Sequence, residues 1–392
     1  MDASLGYSAA QALRSAGREP LRQALLAARE RTLAWAQACE DALGSQAMRV
    51  PYRGTLNPPL WELGHIAWFQ EYWIARNRQR ARGVACEPGH ARRPSLLAQA
   101  DAWFDSGRVV HASRWELPLP GPQAIRGYLQ QTLSHTLELL DALPADAGDD
   151  HFYFFRLTAL HEEMHAEAGL YMARDLGIAV PGPACRDGGS PATAGPTIDV
   201  PAQRFLLGYA GPGFAFDNEL SAHEVELDRF EIDAAPVSWS RFLAFLQEGG
   251  YSQRQWWSDE GWAWVAQAQP AMPAVPARDL AGAVVHVNAW EAQAWCRWAG
   301  RRLPTEAEWE CAALQAPGFE WGQVWEWTAS AFLPYPGFVA HPYLDYSQPW
   351  FGSRRVLRGA SVATADTLAH PRYRNFFEPQ RRDIFAGFRS CA

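Results

Sequence analysis

A stretch dense in proline and glycine divides this chain into two halves with different sequence patterns. Before residue 180, apolar residues recur at helical spacing over long segments; after residue 200, short alternating runs, turns and tryptophans dominate. A chain of 392 residues is longer than one core normally supports. We therefore predict two domains, residues 1–180 and 201–392, joined by a linker at 181–200.

The first half has four segments that are typical of long amphipathic helices. They cover residues 20–46, 60–82, 121–143 and a final segment that ends near residue 177. One long crossover with short helical pieces separates the second segment from the third. This order predicts a four-helix bundle. In the second half we expect a strand over 225–232 and short helices at 239–247 and 289–299, which makes the fold class α+β.

Composition and charge exclude several classes of function. A net charge of −8 without a basic face does not favour nucleic-acid binding. No run of 18 apolar residues is present, and residues 1–18 lack the apolar segment of a secretion signal, so neither membrane spanning nor export is expected. Six scattered cysteines without a C-x-x-C pair indicate reduced thiols and a cytoplasmic protein.

The fourth helical segment contains two histidines, His161 and His165, four residues apart. This spacing places both imidazoles on one face of a helix, where they can bind one metal ion. A third histidine, His65, lies in an apolar and aromatic helical segment beside Gly64, which permits close approach of another backbone. Three neutral imidazoles would leave coordination positions open, which suits Fe(II) and also accommodates Zn(II) or Ni(II).

Two other interpretations of the same helix compete with a three-histidine site. The string His161–His165 also matches H-E-x-x-H, in which Glu162 would be the general base of a zinc peptidase. The other interpretation is purely structural: a core helix in which both histidines are hydrogen-bonded and bind no metal. Glu167 lies about 200° around the helix from His165, so we expect it behind the ligands or in solvent and not on the metal.

The second half contains an ordered series of motifs that resembles the formylglycine-generating-enzyme (sulfatase-modifying factor) domain. The resemblance implies a C-type-lectin-like fold over nearly all of residues 200–392. Formylglycine enzymes need an active-site cysteine pair near the C-terminus, whereas Cys391 stands alone here, so we do not expect that chemistry. The motifs are FLLG at 205–208, GRRLPTEAEWE at 300–310, VWEWT at 324–328, VLRGAS at 356–361 and AGFR at 386–389.

The histidine-bearing half resembles a DinB-type metal-binding bundle. A DinB bundle followed by this C-terminal domain is similar to the ergothioneine-pathway sulfoxide synthases over the whole chain. The resemblance implies that His65, His161 and His165 bind Fe(II). It also implies an enzyme that uses O2 to join a chalcogen atom to the imidazole carbon of hercynine (trimethylhistidine), giving an S-oxide or a Se-oxide.

The same resemblance suggests which residues contact the substrates. Asn375, Phe376 and Phe377 resemble the hercynine-contacting segment of the family. Tyr335 is the candidate for the family's active-site tyrosine, which donates a proton. Arg114 looks like a family arginine in the donor-binding loop.

Two departures from the family pattern bear on the donor. Met164 replaces a common glutamine, and Phe377 replaces an acidic residue that holds the ammonium group of γ-glutamylcysteine. A less charged donor site favours a seleno-sugar, as in the selenoneine synthases. The alternatives are γ-glutamylcysteine or cysteine as donor, a DinB-type zinc or nickel thiol transferase or hydrolase, and a non-enzymatic lectin-like binding protein.

Overall fold

A helical bundle forms the first half of the computed structural model. The structure describes residues 3–44, 48–180, 197–273, 275–276 and 279–392. Helix α2 packs against α6, and α3 packs against both α5 and α6. The predicted four-helix bundle is therefore present. The four bundle helices are α2 (Arg18–Leu43), α3 (Pro59–Trp73), α5 (Pro122–Asp141) and α6 (Asp149–Asp175). The same half also contains α1 (Ala3–Arg14) and the short helix α4 (Ala100–Phe104).

Helix α3 is shorter than its sequence pattern predicts, since it ends at Trp73 and not near residue 82. The Asn77 side chain accepts a hydrogen bond from the backbone N–H of Gln79 at 2.8 Å, which competes with helix continuation. The Arg76 guanidinium meanwhile pairs with Asp101 at 2.7 Å. These contacts turn the chain into the crossover, whose short 3-10 helices are Arg80–Ala85 and His111–Trp115.

The second half is a mixed domain of short strands and helices, so the predicted α+β class is confirmed. Strand β1 pairs with β4 and β2 with β3, whereas β7, β6, β5 and β8 form a four-stranded sheet in that order. The elements are β1 (Thr197–Val200), β2 (Gln203–Leu207), β3 (His223–Leu227), β4 (Phe230–Asp233), α7 (Trp239–Gln247), α8 (Asp259–Ala268), α9 (Ala289–Trp298), α10 (Glu306–Gln315), β5 (Trp325–Ala331), β6 (Arg355–Gly359), β7 (Asn375–Phe377) and β8 (Ala386–Gly387).

Two sequence predictions about this half need correction. The single strand expected over 225–232 is two strands, β3 and β4, because the chain turns at Asp228–Arg229 and each strand pairs with a different partner. Residues 181–196 of the linker expected at 181–200 lie outside the described residues. The last four residues of that range, 197–200, form strand β1 and are not part of a linker.

Helix α10 shows how local sequence fixes an element of this domain. The Thr305 hydroxyl accepts a hydrogen bond from the Glu308 N–H, and the Glu308 carboxylate accepts one from the Thr305 N–H at 2.7 Å. This reciprocal capping box satisfies two N-terminal donors of the helix. The specific string RLPTEAEWE therefore encodes a helix start.

Helix α1 was not predicted, and it connects the bundle to the second half. The Arg14 guanidinium forms a buried ion pair with Glu219 at 2.7 Å, and the Phe214 N–H donates to the Arg14 carbonyl at 2.7 Å. One continuous apolar core accordingly contains residues of both halves, including Phe154 and Phe216. In the described part of the chain, no helix has the length and apolarity needed to cross a bilayer.

Candidate metal centre and adjoining cavity

Three histidines meet between helices α3 and α6. His65 comes from α3, and His161 and His165 come from successive turns of α6. One ring nitrogen from each lies within 4.8 Å of the others, and the Nε2 atoms of His161 and His165 are 3.1 Å apart. The structure thus brings together the three residues that the sequence singled out as metal ligands.

The Nδ1 atoms of two histidines are held by hydrogen bonds, which leaves their Nε2 atoms for a metal. His65 Nδ1–H donates to the Phe104 carbonyl at 2.8 Å, and His165 Nδ1–H donates to the Glu62 carboxylate at 2.5 Å. The ring of His161 is stacked on Phe69, with centroids 3.5 Å apart. Metal-binding histidines are commonly oriented in this way through their second nitrogen.

Gly64 makes the hydrogen bond to His65 sterically feasible. A Cβ at this position would lie 2.2 Å from Cε1 of Phe104, so only glycine lets α4 pack this closely on α3. The close approach predicted from Gly64 is thus with Phe104, whose carbonyl reaches His65.

Burial keeps these imidazoles in the form that binds metals. Burial, reinforced by the nearby His165, lowers the pKa of His65 to about 3. Burial and the two other histidines hold the pKa of His161 well below its ordinary value. Both rings are therefore neutral near pH 7, with a nitrogen lone pair for a divalent cation. A set of three imidazole nitrogen donors fits Fe(II), Zn(II) or Ni(II).

Glu162 is not placed as the general base of a peptidase. Its carboxylate is buried against α2, where the Arg29 guanidinium donates to it at 2.6 Å and 3.2 Å. The same guanidinium donates to the Gln70 side chain at 3.0 Å. Because the Glu162 carboxylate is engaged by Arg29, it is not available as the general base that a zinc peptidase needs.

A cavity of about 230 Å3 lies beside His165, between α6 and the second domain. The bundle contributes Met164, His165 and Tyr171 to its wall. The second domain contributes Trp325, Tyr346, Tyr373 and the β7 segment Asn375–Phe377. Four of the five residues expected to bind substrate, namely Met164, Asn375, Phe376 and Phe377, therefore surround one space next to the histidines.

Arg114, the fifth of these residues, is located elsewhere. Its guanidinium lies 3.8 Å over the ring of Trp61 and donates to the Asn57 side chain at 2.7 Å. It lines a different cavity, together with Trp115 and Leu117. Both contacts are with α3 or the residues just before it, so Arg114 fixes the start of this helix.

Tyr335 is also located away from the cavity beside His165. Its buried phenol donates to Glu306 at 3.0 Å and accepts from Arg358 at 3.0 Å. Arg374 lies 3.9 Å over its ring and also pairs with Glu306. The placement of Tyr335 therefore corrects the expectation that its phenol faces the substrates, because buried charges already engage it.

Two tyrosines that the sequence did not single out do line the cavity. The Tyr373 hydroxyl lies 3.1 Å from the Met164 sulfur, and the Tyr346 hydroxyl donates to the Tyr373 oxygen at 3.1 Å. Burial raises the pKa of both phenols well above the ordinary value, so both carry their protons at pH 7. The one available signal was the position of Tyr373, two residues before the motif residue Asn375.

Of the two positions expected for Glu167, behind the histidines or in solvent, the solvent alternative is wrong, because its carboxylate is buried between the two halves. It accepts hydrogen bonds from Trp325 Nε1 at 2.7 Å, from the Ser361 hydroxyl at 2.8 Å and from the Thr364 hydroxyl at 2.9 Å. The helix that bears two of the histidines is thereby attached to the second domain.

The fold and the site define a class of protein: a DinB bundle with a three-histidine cluster, followed by a sulfatase-modifying-factor domain. Residues 19–173 match the DinB superfamily. Residues 189–323 and 319–392 match the sulfatase-modifying factor enzyme 1-like domain. The two-domain architecture predicted from the motifs is confirmed.

Relatives identify the family within this class. A hercynine oxygenase of Mycolicibacterium thermoresistibile is 34% identical, covering 95% of this chain and 94% of the relative. A hercynine oxygenase of Mycolicibacterium smegmatis is 32% identical, covering 95% of this chain and 98% of the relative. A formylglycine-generating enzyme of Streptomyces coelicolor is 28% identical but covers only 50% of this chain and 86% of its own. The chain belongs to the hercynine oxygenase family and is an oxidoreductase.

Proposed function

We propose that this protein is an Fe(II)- and O2-dependent synthase that joins a chalcogen donor to the imidazole carbon of hercynine, with a seleno-sugar as preferred donor. The observation that carries the proposal is the shared cavity. His165 from the histidine cluster and the segment Asn375–Phe377 face the same space of about 230 Å3. An acceptor held by that segment would therefore lie next to a metal bound by His65, His161 and His165.

The reaction joins two substrates with one molecule of O2. A selenol or thiol, a ring C–H of hercynine and O2 give the Se-oxide or S-oxide and one water. One oxygen atom of O2 goes to the chalcogen, and the other leaves in water. Iron, when bound, supplies the redox chemistry of this four-electron oxidation.

The walls of the cavity suit the acceptor. Hercynine carries a trimethylammonium group, which aromatic faces attract through cation–π contacts. Phe376, Tyr171 and Trp325 supply such rings within one space. The side-chain amide of Asn375 offers a donor and an acceptor for the imidazole or carboxylate of the substrate.

The two cavity tyrosines provide the proton donor in this proposal, in place of Tyr335. Their hydroxyls are hydrogen-bonded to each other at 3.1 Å, and both line the space in which the substrates would meet. A protonated phenol pair can deliver one proton at the Tyr373 oxygen while the Tyr346 hydroxyl replaces it. This arrangement supports a role as general acid.

Neutral surroundings at Phe377 support an uncharged donor. The Arg381 guanidinium lies 5.1 Å over the Phe377 ring and is paired with Asp383 at 2.6 Å. The ion pair neutralises this rim of the cavity. A zwitterionic dipeptide would find an apolar ring where its ammonium group needs an anion, whereas a sugar needs none.

The test is oxygen uptake by the protein reconstituted with one metal at a time. The protein is purified without air, stripped, and loaded with Fe(II), Zn(II) or Ni(II). Hercynine is then supplied with a 1-seleno-sugar, γ-glutamylcysteine or cysteine. We expect O2 uptake and a hercynine Se-oxide, identified by mass, with Fe(II) alone. Donor transfer or hydrolysis that requires Zn(II) or Ni(II) and consumes no O2 would establish the alternative class instead.

A cytoplasmic location forms part of the proposal. Five cysteines, Cys39, Cys86, Cys296, Cys311 and Cys391, are buried free thiols in the described residues. Reduced thiols and an oxidation-sensitive selenol donor both suit a reducing compartment.

A further inference from the structure

Glu62 connects the histidine cluster to a polar chain that extends away from the cavity. Its carboxylate accepts the Nδ1–H of His165 at 2.5 Å through one oxygen and the Asn57 amide at 2.8 Å through the other. Asn57 in turn accepts from the Arg114 guanidinium at 2.7 Å. Glu62 is 1% exposed, so water does not compete for it.

We propose that Glu62 is a positioning residue that orients His165 and strengthens it as a metal ligand. The inference rests on the proposed function only in taking the histidine cluster as a metal site. A carboxylate bonded to the Nδ1–H of an imidazole fixes the ring and increases electron density at Nε2. Glu62 lies three residues before His65 on α3, so one helix supplies a ligand and also the partner of a ligand on α6.

His165 needs such a partner more than the other two histidines do. His65 stacks on Trp61 at 5.1 Å between centroids, and His161 stacks on Phe69 at 3.5 Å. In the described part of the chain, the aromatic rings that contact His165 are those of the other two histidines. Its side chain is also 21% exposed, at the cavity wall. The hydrogen bond to Glu62 is therefore its principal restraint.

The character of the partner also distinguishes His165. His65 donates to a neutral backbone carbonyl, that of Phe104, whereas His165 donates to a carboxylate. A charge-assisted hydrogen bond is shorter and stronger than a neutral one. His165, which faces the substrate cavity, is therefore more electron-rich than His65.

Arg114 and Asn57 hold the carboxylate in place. Arg114 is fixed by its stacking on Trp61 at 3.8 Å, and it anchors the Asn57 amide so that Nδ2 points to Glu62. This arrangement explains why Arg114 is partly buried far from the cavity. It supports Glu62 through Asn57.

The experiment measures metal affinity and redox potential, so it does not depend on turnover. Glu62→Gln keeps the shape and one acceptor oxygen but removes the charge. We expect Co(II), titrated against a chelator and followed by its visible bands, to bind about ten- to a hundredfold more weakly. The midpoint potential of the Fe(II)-loaded protein should shift upward. Asn57→Ala should produce a smaller change in the same direction.

Glu163→Gln is the matched control, because Glu163 is a buried carboxylate on α6 paired with Arg31. It should leave Co(II) affinity and potential unchanged. Wild-type affinity and potential in folded Glu62→Gln would overturn the assignment; should that variant not fold, unchanged values in Asn57→Ala would do so. Co(II) binding that depends on Glu62, without any hercynine turnover, would contradict the proposed function and leave this inference intact.

Discussion

The Glu167 carboxylate on helix α6 accepts a hydrogen bond from Trp325 Nε1 on strand β5 at 2.7 Å. His165 lies two residues before Glu167, and both Glu167 and Trp325 line the cavity beside it. The same contact thus joins the domains and forms part of the proposed substrate site. The position of the histidine helix relative to the segment Asn375–Phe377 depends on this junction.

Replacing Glu167 by alanine should destabilise the junction. The change removes three hydrogen bonds to a carboxylate and leaves the donors of Trp325, Ser361 and Thr364 buried without it. Each charge-assisted bond contributes about 1.5–3 kcal/mol, but the alanine variant no longer bears the cost of burying a carboxylate, so we expect the free energy of unfolding to fall by about 3 kcal/mol or more. Chemical denaturation followed by tryptophan fluorescence measures it. Glu30→Ala, at an exposed position of α2, is the control, and an equal change in both variants would contradict the prediction.

Replacing His65, His161 or His165 by alanine should remove the metal. Each variant loses one of three ring nitrogens that lie within 4.8 Å of one another. We expect the iron content after anaerobic loading to fall below a tenth of wild type, while circular dichroism shows a folded chain. His135→Ala is the control, since His135 is exposed on α5. Full iron occupancy in any of the three variants would exclude that histidine as a ligand.

The cavity tyrosines and Tyr335 should respond differently to removal of the hydroxyl. Tyr373→Phe and Tyr346→Phe should slow Se-oxide or S-oxide formation by roughly a hundredfold, the usual effect of losing a general acid. Tyr335→Phe should leave the rate near wild type and lower stability by about 1–3 kcal/mol, because Glu306 and Arg358 lose a buried partner. A slow, stable Tyr335→Phe enzyme would restore the original assignment.

The three-histidine cluster could be predicted from sequence, because the spacing of its histidines is a local property. His161 and His165 share a helix face wherever that helix packs, and Gly64 marks the close packing beside His65. The surroundings of Tyr335 and Arg114 could not be predicted, because they depend on which side chains from distant parts of the sequence reach them. Glu306 engages the Tyr335 phenol, and such long-range pairing leaves no periodic pattern in the sequence.

The stability of the metal-free protein should decrease as the pH falls from about 6.5 to 4. Burial lowers the pKa of His341 to about 4, and burial with the Arg174 charge lowers that of His286 to about 4. In the unfolded chain both titrate near 6.5. Between these values the unfolded state binds more protons, so stability rises with pH and is lost on acidification.

Denaturant titrations at several pH values, compared with those of His286→Asn and His341→Gln, measure this dependence. Each substitution removes one depressed histidine pKa and should reduce the slope of the free energy of unfolding against pH. Both positions lie in the second domain, outside the histidine cluster. A slope that neither substitution changes would show that other groups determine the acid sensitivity.

The choice of donor is the most specific prediction, and it depends on Phe377. In relatives that use γ-glutamylcysteine, the resemblance places an acidic residue here to hold the donor's ammonium group. Phe377 lines the cavity, and Arg381 beside it is already paired with Asp383. Losing a charge-assisted hydrogen bond costs about 1.5–3 kcal/mol, which corresponds to about ten- to a hundredfold in discrimination. A sugar donor loses nothing from this replacement.

A competition assay with Phe377→Asp as the matched variant tests the donor directly. Wild-type protein is given hercynine with equal concentrations of a 1-seleno-sugar and γ-glutamylcysteine, and the products are separated by mass. We expect the Se-oxide of the sugar to predominate, because the seleno-sugar needs no anion at position 377. Phe377→Asp should shift the product ratio toward the γ-glutamylcysteine adduct by about tenfold or more. Predominance of that adduct with the wild-type chain would place this protein with the ergothioneine enzymes.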